Sequence, residues 1–207
     1  MNTAGQHGVS LIEMMVAVAI LAILVMLGIP SYQQWTLNTR IRTVTESIQN
    51  GLRLARNEAS QQARYVRFQL NSATSWQVCQ LPASAASAKA ATDCSNAASS
   101  IQRWDSPSAS TVQVGASTAV KDVASSSSSS STYKTTISGG VPAGITFDAL
   151  GRPTAYGSGS ILRIDTTAAN ASLQSNSRRL VTTISAGGMV NMCDPAFTLS
   201  KNVMGCP

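Results

Sequence analysis

The segment GVSLIEMMVAVAILAILVMLGIP, residues 8–30, decides how the amino-terminal part of this 207-residue chain folds. Its apolar run carries one charge, Glu13, and as a helix rising roughly 1.5 Å per residue it is long enough to cross a hydrocarbon core of about 30 Å. A transmembrane helix is therefore predicted over residues 9–30. The ordinary alternative, a secretory signal peptide, has its small-residue cleavage site after the apolar run, whereas Gly8 precedes it.

Glu13 is the unusual residue of this segment, because a carboxylate inside an apolar helix costs on the order of 2.5–3.5 kcal/mol. Cleavage after Gly8 would free the α-amine of Val9, one helical turn from Glu13, and this amine can pair with the carboxylate of its own chain or of a neighbour. The alternative interpretation is a carboxylate that simply reaches the water at the membrane boundary. That would account for Glu13 but not for the glycine at position 8. Pro30 predicts a kink or local melting near residues 28–30, since it cannot donate a backbone hydrogen bond.

Together these residues resemble the class III signal of type IV pilins and pseudopilins: a glycine, a new first residue, a glutamate four residues later and a proline that closes the apolar run. The resemblance implies that residues 1–8 are a leader peptide removed by prepilin peptidase after Gly8. It also implies N-methylation of Val9 and roles in assembly for Glu13 and Pro30. Val9 stands where the family usually has phenylalanine.

An amphipathic helix is predicted over residues 31–64, because apolar residues recur there at spacings of three and four. The predicted buried face consists of Ile41, Val44, Ile48, Leu52, Ala55 and Ala59. The same region is rich in arginine and poor in acidic residues: it holds Arg40, Arg42, Arg53, Arg56 and Arg64, with Arg67 nearby, against Glu46 and Glu58. This basic face fits either a solvated helix surface or a contact with acidic subunits or nucleic acid.

Residues 65–207 are predicted to form a β-rich head. Short alternating runs predict strands, and these lie at 65–70, 76–81, 144–150, 161–165, 178–185 and 188–192. One face of each strand can pack on the apolar face of the helix, which predicts an α+β fold: a long amino-terminal helix packed on an antiparallel β-sheet. The Ser- and Ala-rich stretch at about 82–140 predicts a flexible loop, with a short strand near TVQV at 111–114.

All four cysteines follow the apolar segment, which fits an oxidising compartment. They are Cys79, Cys94, Cys193 and Cys206. Of the three possible connectivities, the two short local loops, Cys79 to Cys94 and Cys193 to Cys206, are favoured. A zinc site is the competing interpretation, but the sequence has no CxxC pair, and its one histidine precedes the apolar segment. We therefore predict neither a metal site nor a cofactor.

Three further runs, ITFDALGRPT, ILRID and RRLVTTISAGGMVNMC, resemble the carboxy-terminal half of H-type pseudopilins of type II secretion and of the FimT and FimU group of minor pilins. DNA-binding members of that group carry a basic patch after the last long strand, where residues 187–190 here read Gly-Gly-Met-Val. Arg178, Arg179 and Lys201 remain as candidate contacts with DNA. Because no Walker loop, zinc signature or catalytic triad can be assembled, the chain is not predicted to be an enzyme.

The combined resemblance implies a minor pilin that acts at the tip or in the initiation complex of a type IV pilus. The alternatives are an H-type pseudopilus subunit, a DNA-binding minor pilin for natural transformation, and a single-pass anchored domain that is not processed at Gly8. The implied partners are prepilin peptidase, other pilins or pseudopilins, the inner-membrane assembly platform and the inner membrane. The implied locations are the inner membrane before assembly and an extracytoplasmic filament, in the periplasm or at the cell surface, afterwards. The net charge of +6 fits an anionic partner or plain solubility.

Overall fold

A computed structural model describes residues 10–73, 75–82, 84, 93–95, 97–106, 111–122 and 133–207. Its elements, in chain order, are α1 (Leu11–Gln62), β1 (Val66–Ser72), β2 (Ser75–Gln80), β3 (Ser99–Asp105), β4 (Val112–Ser117), β5 (Ala143–Phe147), β6 (Arg163–Ala168), α2 (Ala171–Gln174), β7 (Leu180–Ile184), β8 (Val190–Thr198) and β9 (Gly205–Cys206). The chain divides into two units, Met1–Thr36 and Leu37–Pro207.

The described part of the first unit is the beginning of α1. Ser10 precedes the helix, and its carbonyl oxygen accepts hydrogen bonds from the N–H groups of Glu13, at 3.0 Å, and Met14, at 3.2 Å. The helix is unbroken through residues 28–30. The local melting that was one of the two expected effects of Pro30 is therefore absent, because the neighbouring turns hold the helical backbone, and a kink near residues 28–30 stays a prediction.

In the second unit, the carboxy-terminal half of α1 buries the apolar face that its periodicity predicted. Every residue from Ile41 to Ala59 on that face is at most 1% exposed. The face joins one hydrophobic cluster with side chains from the strands, among them Phe68, Trp76 and Ile164. The α+β architecture, with the helix packed on antiparallel strands, is thus confirmed.

The strands form two sheets rather than the single sheet that was expected. One has the order β3-β2-β1-β5 and the other β4-β6-β7-β8-β9. All neighbouring strands pair antiparallel except β8 and β9, which are parallel. Both sheets contribute to the cluster around α1, so the helix covers a core shared by the two.

The stretch at about 82–140 holds more regular structure than the predicted loop. Strand β4 confirms the strand expected near TVQV, whereas β3 was not predicted. In β3, which lies at an edge of its sheet, only Ile101 and Trp104 are partly buried and the other residues are exposed. Most of the Ser- and Ala-rich positions, including the serines at 125–131, lie outside the described residues.

Candidate functional site

The amino-terminal segment is the first candidate site. The predicted processing residues, Gly8 and Val9, lie outside the described residues. Glu13 lies in the first turn of α1, where a carboxylate is favoured by the helix dipole. Ser10 at the helix start and Glu13 three residues later form the S-x-x-E pattern of a capping box, a signal that the sequence analysis did not use.

The apolar side chains that follow Glu13 are exposed around the helix. From Leu11 to Ile29 the large apolar residues for which the structure gives an exposure are about half to four-fifths accessible. This segment contains an 18-residue window with a mean hydropathy of 2.7, none of it buried. The helix is therefore long and apolar enough to span a membrane, and nothing within the described chain covers its surface.

Two disulfides close loops in the head, and they are the two pairs favoured from the sequence. Cys79 is joined to Cys94, with a Cα–Cα distance of 6.0 Å, and Cys193 is joined to Cys206, with a Cα–Cα distance of 4.9 Å. None of the described cysteines is a free thiol. The second bridge fixes the short parallel pair of β8 and β9 at the end of the chain.

The three candidate DNA contacts do not form one exposed patch. Arg179 donates to the hydroxyl of Thr136 at 2.9 Å and to the carbonyl oxygen of Tyr133, and its burial lowers the pKa of its guanidinium. Arg178 is exposed, with Nε 4.0 Å from a carboxylate oxygen of Asp194. Lys201 is exposed in the turn between β8 and β9. The guanidinium of Arg179 is therefore hydrogen-bonded to other residues of the head.

The arginines of the predicted basic face are also engaged to different degrees. Arg42 pairs with Glu46 at 2.7 Å on the surface of α1. Arg56 donates to the carbonyl oxygen of Gly151 at 3.3 Å and so ties the helix to the turn after β5. Arg67 lies on β1, where it is 9% exposed and burial lowers its pKa. Arg56 and Arg67 are thus engaged within the second unit, whereas Arg40, Arg53 and Arg64 are exposed.

A buried charge network centred on Arg163 is the feature that sequence reasoning missed. The side chain is 1% exposed. Its Nε and Nη2 donate to the two carboxylate oxygens of Asp165 at 2.7 and 2.9 Å. Its Nη1 donates to Asp122 at 2.7 Å, and Nη2 also donates to the carbonyl oxygen of Thr135 at 2.6 Å. The guanidinium lies 5.1 Å from the centre of the Tyr133 ring.

Electrostatics hold this network in its charged state. Burial alone lowers the pKa of Arg163, but the hydrogen bonds and charges of Asp165 and Asp122 outweigh it and raise that pKa. Burial raises the pKa of Asp122, but donors from Thr135 and Arg163 outweigh it and lower that pKa. Since each of these charged groups already has a partner, the network is suited to structural stabilisation.

No cluster of histidine, cysteine or carboxylate groups within the described ranges is arranged to hold a metal ion. Among the described residues, the features that bear on function are the exposed apolar surface of α1 and the two disulfides of the head. The prediction that the chain is not an enzyme stays a prediction.

Residues 3–29 match the family model described as the prokaryotic N-terminal methylation motif. The resemblance to the amino-terminal signal of type IV pilins is confirmed over this segment. The motif and the apolar helix together fit a chain anchored in a membrane near its amino terminus. No curated protein matches the chain in sequence.

Among solved structures, the chain is similar to the type IV minor pilin FimU of Pseudomonas aeruginosa strain PAO1, with 15% identity and a TM-score of 0.47 over 79% of this chain and 95% of that one. It is also similar to EpsH, a minor pseudopilin of the type 2 secretion system of Vibrio cholerae, with 9% identity and a TM-score of 0.45 over 76% of this chain and 99% of that one. With TM-scores below 0.5, the two likenesses carry no conclusion about function.

Proposed function

We propose that this chain is a minor pilin, which is cut after Gly8 by prepilin peptidase, N-methylated at Val9 and assembled into a type IV pilus at its tip or in its initiation complex. One observation carries the proposal: the methylation motif at residues 3–29 includes the apolar first part of α1, and the described apolar side chains of this part are exposed on all sides of the helix. Such a surface must be covered by lipid or by other apolar helices.

Glu13 gives this helix a means of setting the register between subunits. It is the one charged residue of the apolar segment, and cleavage after Gly8 creates a positive amine close by in sequence. In a bundle of apolar helices, an ion pair between the amine of one subunit and Glu13 of the next fixes the register, because a buried charge left without its partner costs about 3–5 kcal/mol. The other pilins of the filament and the inner-membrane assembly platform are the partners that this role requires.

The disulfides of the head fit a location outside the cytoplasm. Both of its disulfides form stably in an oxidising compartment. We therefore place the precursor in the inner membrane and the assembled subunit in the periplasm or at the cell surface. The Arg179 side chain is engaged within the head, so DNA binding by the three candidate cations is not the function that we favour.

Filament incorporation of two matched variants tests the proposal. Glu13→Gln removes the charge in the apolar segment, whereas Glu46→Gln removes an exposed glutamate of the same helix that pairs with Arg42 on its surface. In cells that express prepilin peptidase and the partner pilins, sheared filaments should contain the wild type and Glu46→Gln but much less Glu13→Gln. Equal incorporation of the two variants would contradict the role of Glu13 in assembly.

Deletion of the gene in its host separates the two filament systems that use this type of subunit. Loss of surface pili with normal protein secretion is the expected outcome. Loss of secretion with normal pili would reassign the chain to a type II secretion pseudopilus, in which the helix and the processing have the same roles.

A further inference from the structure

Two large aromatic side chains lie directly after the apolar segment of α1. Tyr32 and Trp35 are 66% and 65% exposed. Their ring centres are 6.0 Å apart and their planes are inclined by 38°. Residues three apart lie on the same side of a helix, so the two rings form one aromatic pair on the surface of the first unit.

The chemistry of this pair is that of a membrane–water boundary. Tyrosine and tryptophan combine an apolar ring with a polar O–H or N–H, so each can reach into the acyl chains and still keep its polar end hydrated. Both residues are for this reason enriched where transmembrane helices enter and leave the bilayer. Polar residues begin at the same place, with Ser31 and Gln33 on either side of Tyr32.

The spacing along α1 matches the thickness of a bilayer. At 1.5 Å per residue, Tyr32 lies about 28 Å and Trp35 about 33 Å along the helix axis from Glu13. A hydrocarbon core is about 30 Å thick. The one charge of the apolar segment and the aromatic pair are thus separated by the distance between the two boundaries of the core.

The threonine that follows the aromatic pair also has its hydroxyl hydrogen-bonded within the helix. The hydroxyl of Thr36 donates to the carbonyl oxygen of Tyr32 at 2.9 Å. This bond satisfies the threonine hydroxyl within its own helix, which reduces the cost of placing that polar group near lipid.

We propose that Tyr32 and Trp35 bind the lipid headgroup boundary on the extracytoplasmic side of the membrane and thereby fix the depth at which α1 sits in the unassembled subunit. This inference rests on the proposed function, because it requires insertion of the helix. A neighbouring subunit that covers the two rings is the competing occupant. The continuity with the apolar segment and the match in spacing favour lipid.

Fluorescence quenching by brominated lipids tests this proposal on the full chain in phosphatidylcholine vesicles. Flotation with the vesicles first reports insertion. The tryptophan signal is then compared in lipids brominated near the headgroup end or near the end of the acyl chain. Subtracting the signal of Trp35→Phe, which keeps an aromatic ring, isolates Trp35 from the head residues Trp76 and Trp104.

We expect Trp35 to be quenched more strongly by the shallow bromines than by the deep ones. Tyr32→Ala should weaken this preference, whereas Gln33→Ala, an exposed neighbour, should leave it unchanged. A floating protein whose Trp35 is not quenched, or is quenched best by the deep bromines, would overturn the inference and leave membrane anchoring intact. Failure to float would instead overturn the membrane insertion on which the proposed function depends.

Discussion

Replacing Asp165 by Asn tests whether the buried charge network stabilises the head. Asp165 is fully buried and accepts hydrogen bonds from Arg163 at 2.7 and 2.9 Å, from Arg179 at 3.4 Å and from the N–H of Ile137 at 3.1 Å. The amide keeps the shape of the side chain but removes its negative charge. Arg163 then keeps one carboxylate partner, Asp122, whose side chain is 19% exposed.

Burial sets the expected size of the effect. Removing one partner of a buried ion pair costs about 3–5 kcal/mol, because the other charge stays buried without compensation. The chain supplies a matched control in Arg103 and Asp105, which have the same spacing on a strand and an Nε–Oδ2 distance of 3.1 Å but side chains 63% and 61% exposed. Asp105→Asn should lower the free energy of unfolding by at most about 1 kcal/mol, because solvent screens that pair.

Urea unfolding of the full chain in detergent, followed by tryptophan fluorescence, measures both variants against the wild type. The buried Trp76 reports the packing of the head. We expect a large decrease in the transition midpoint for Asp165→Asn and a small one for Asp105→Asn, with similar slopes. Equal decreases for the two variants would refute the argument that burial determines the strength of the Arg163 network.

Three other predictions concern the stability of the second unit. The pKa of Asp122 is lowered below 3.8, despite the opposing effect of burial, so its stabilisation is present above that pH and is lost as the pH falls through the folded-state pKa. Urea titrations at decreasing pH should show this loss in the wild type and less of it in Asp122→Asn; identical pH profiles would argue against it. The double variant Cys79→Ala/Cys94→Ala opens a loop with a sequence separation of 15 and should lower the free energy of unfolding by about 3 kcal/mol, and an unchanged urea midpoint would contradict a stabilising bridge. Ile48→Ala, at a position 1% exposed, should lower the free energy of unfolding by about 2–5 kcal/mol in the same assay. Asn50→Ala, on the exposed side of α1, should change this free energy by less than about 0.5 kcal/mol. Similar losses for the two variants would contradict the assignment of the buried face.

The long helix and most strands could be predicted because their signals are local. Ile41, Ile48 and Leu52 recur at helical spacing and identify the buried face of α1. The run VRFQL alternates along β1, and its apolar residues lie in the core, although the polar residues between them are buried as well. The division into two sheets could not be predicted, since it depends on which distant strands pair. Strand β3 was missed because its two large apolar residues, Ile101 and Trp104, are three positions apart and do not alternate along the strand.

The candidate sites also differ in whether a local sequence pattern identifies them. The signal at Gly8 and Glu13 is a short pattern that can be read without knowing the fold. By contrast, Arg163 and Asp165 are close in sequence, but Asp122 comes from a segment 41 residues away from its partner arginine. No local pattern shows that these groups meet or that they are buried. The exposed Arg103 and Asp105 have the same spacing and a different role.

Intact mass and amino-terminal sequence of the membrane-extracted protein, with and without a co-expressed prepilin peptidase, test the central claim most directly. We expect the peptidase to convert the chain to a form that starts at Val9 and carries one added methyl group, with no free thiols. Retention of the leader through Gly8 in the presence of an active peptidase would contradict the proposal of a pilin subunit and leave an anchored domain.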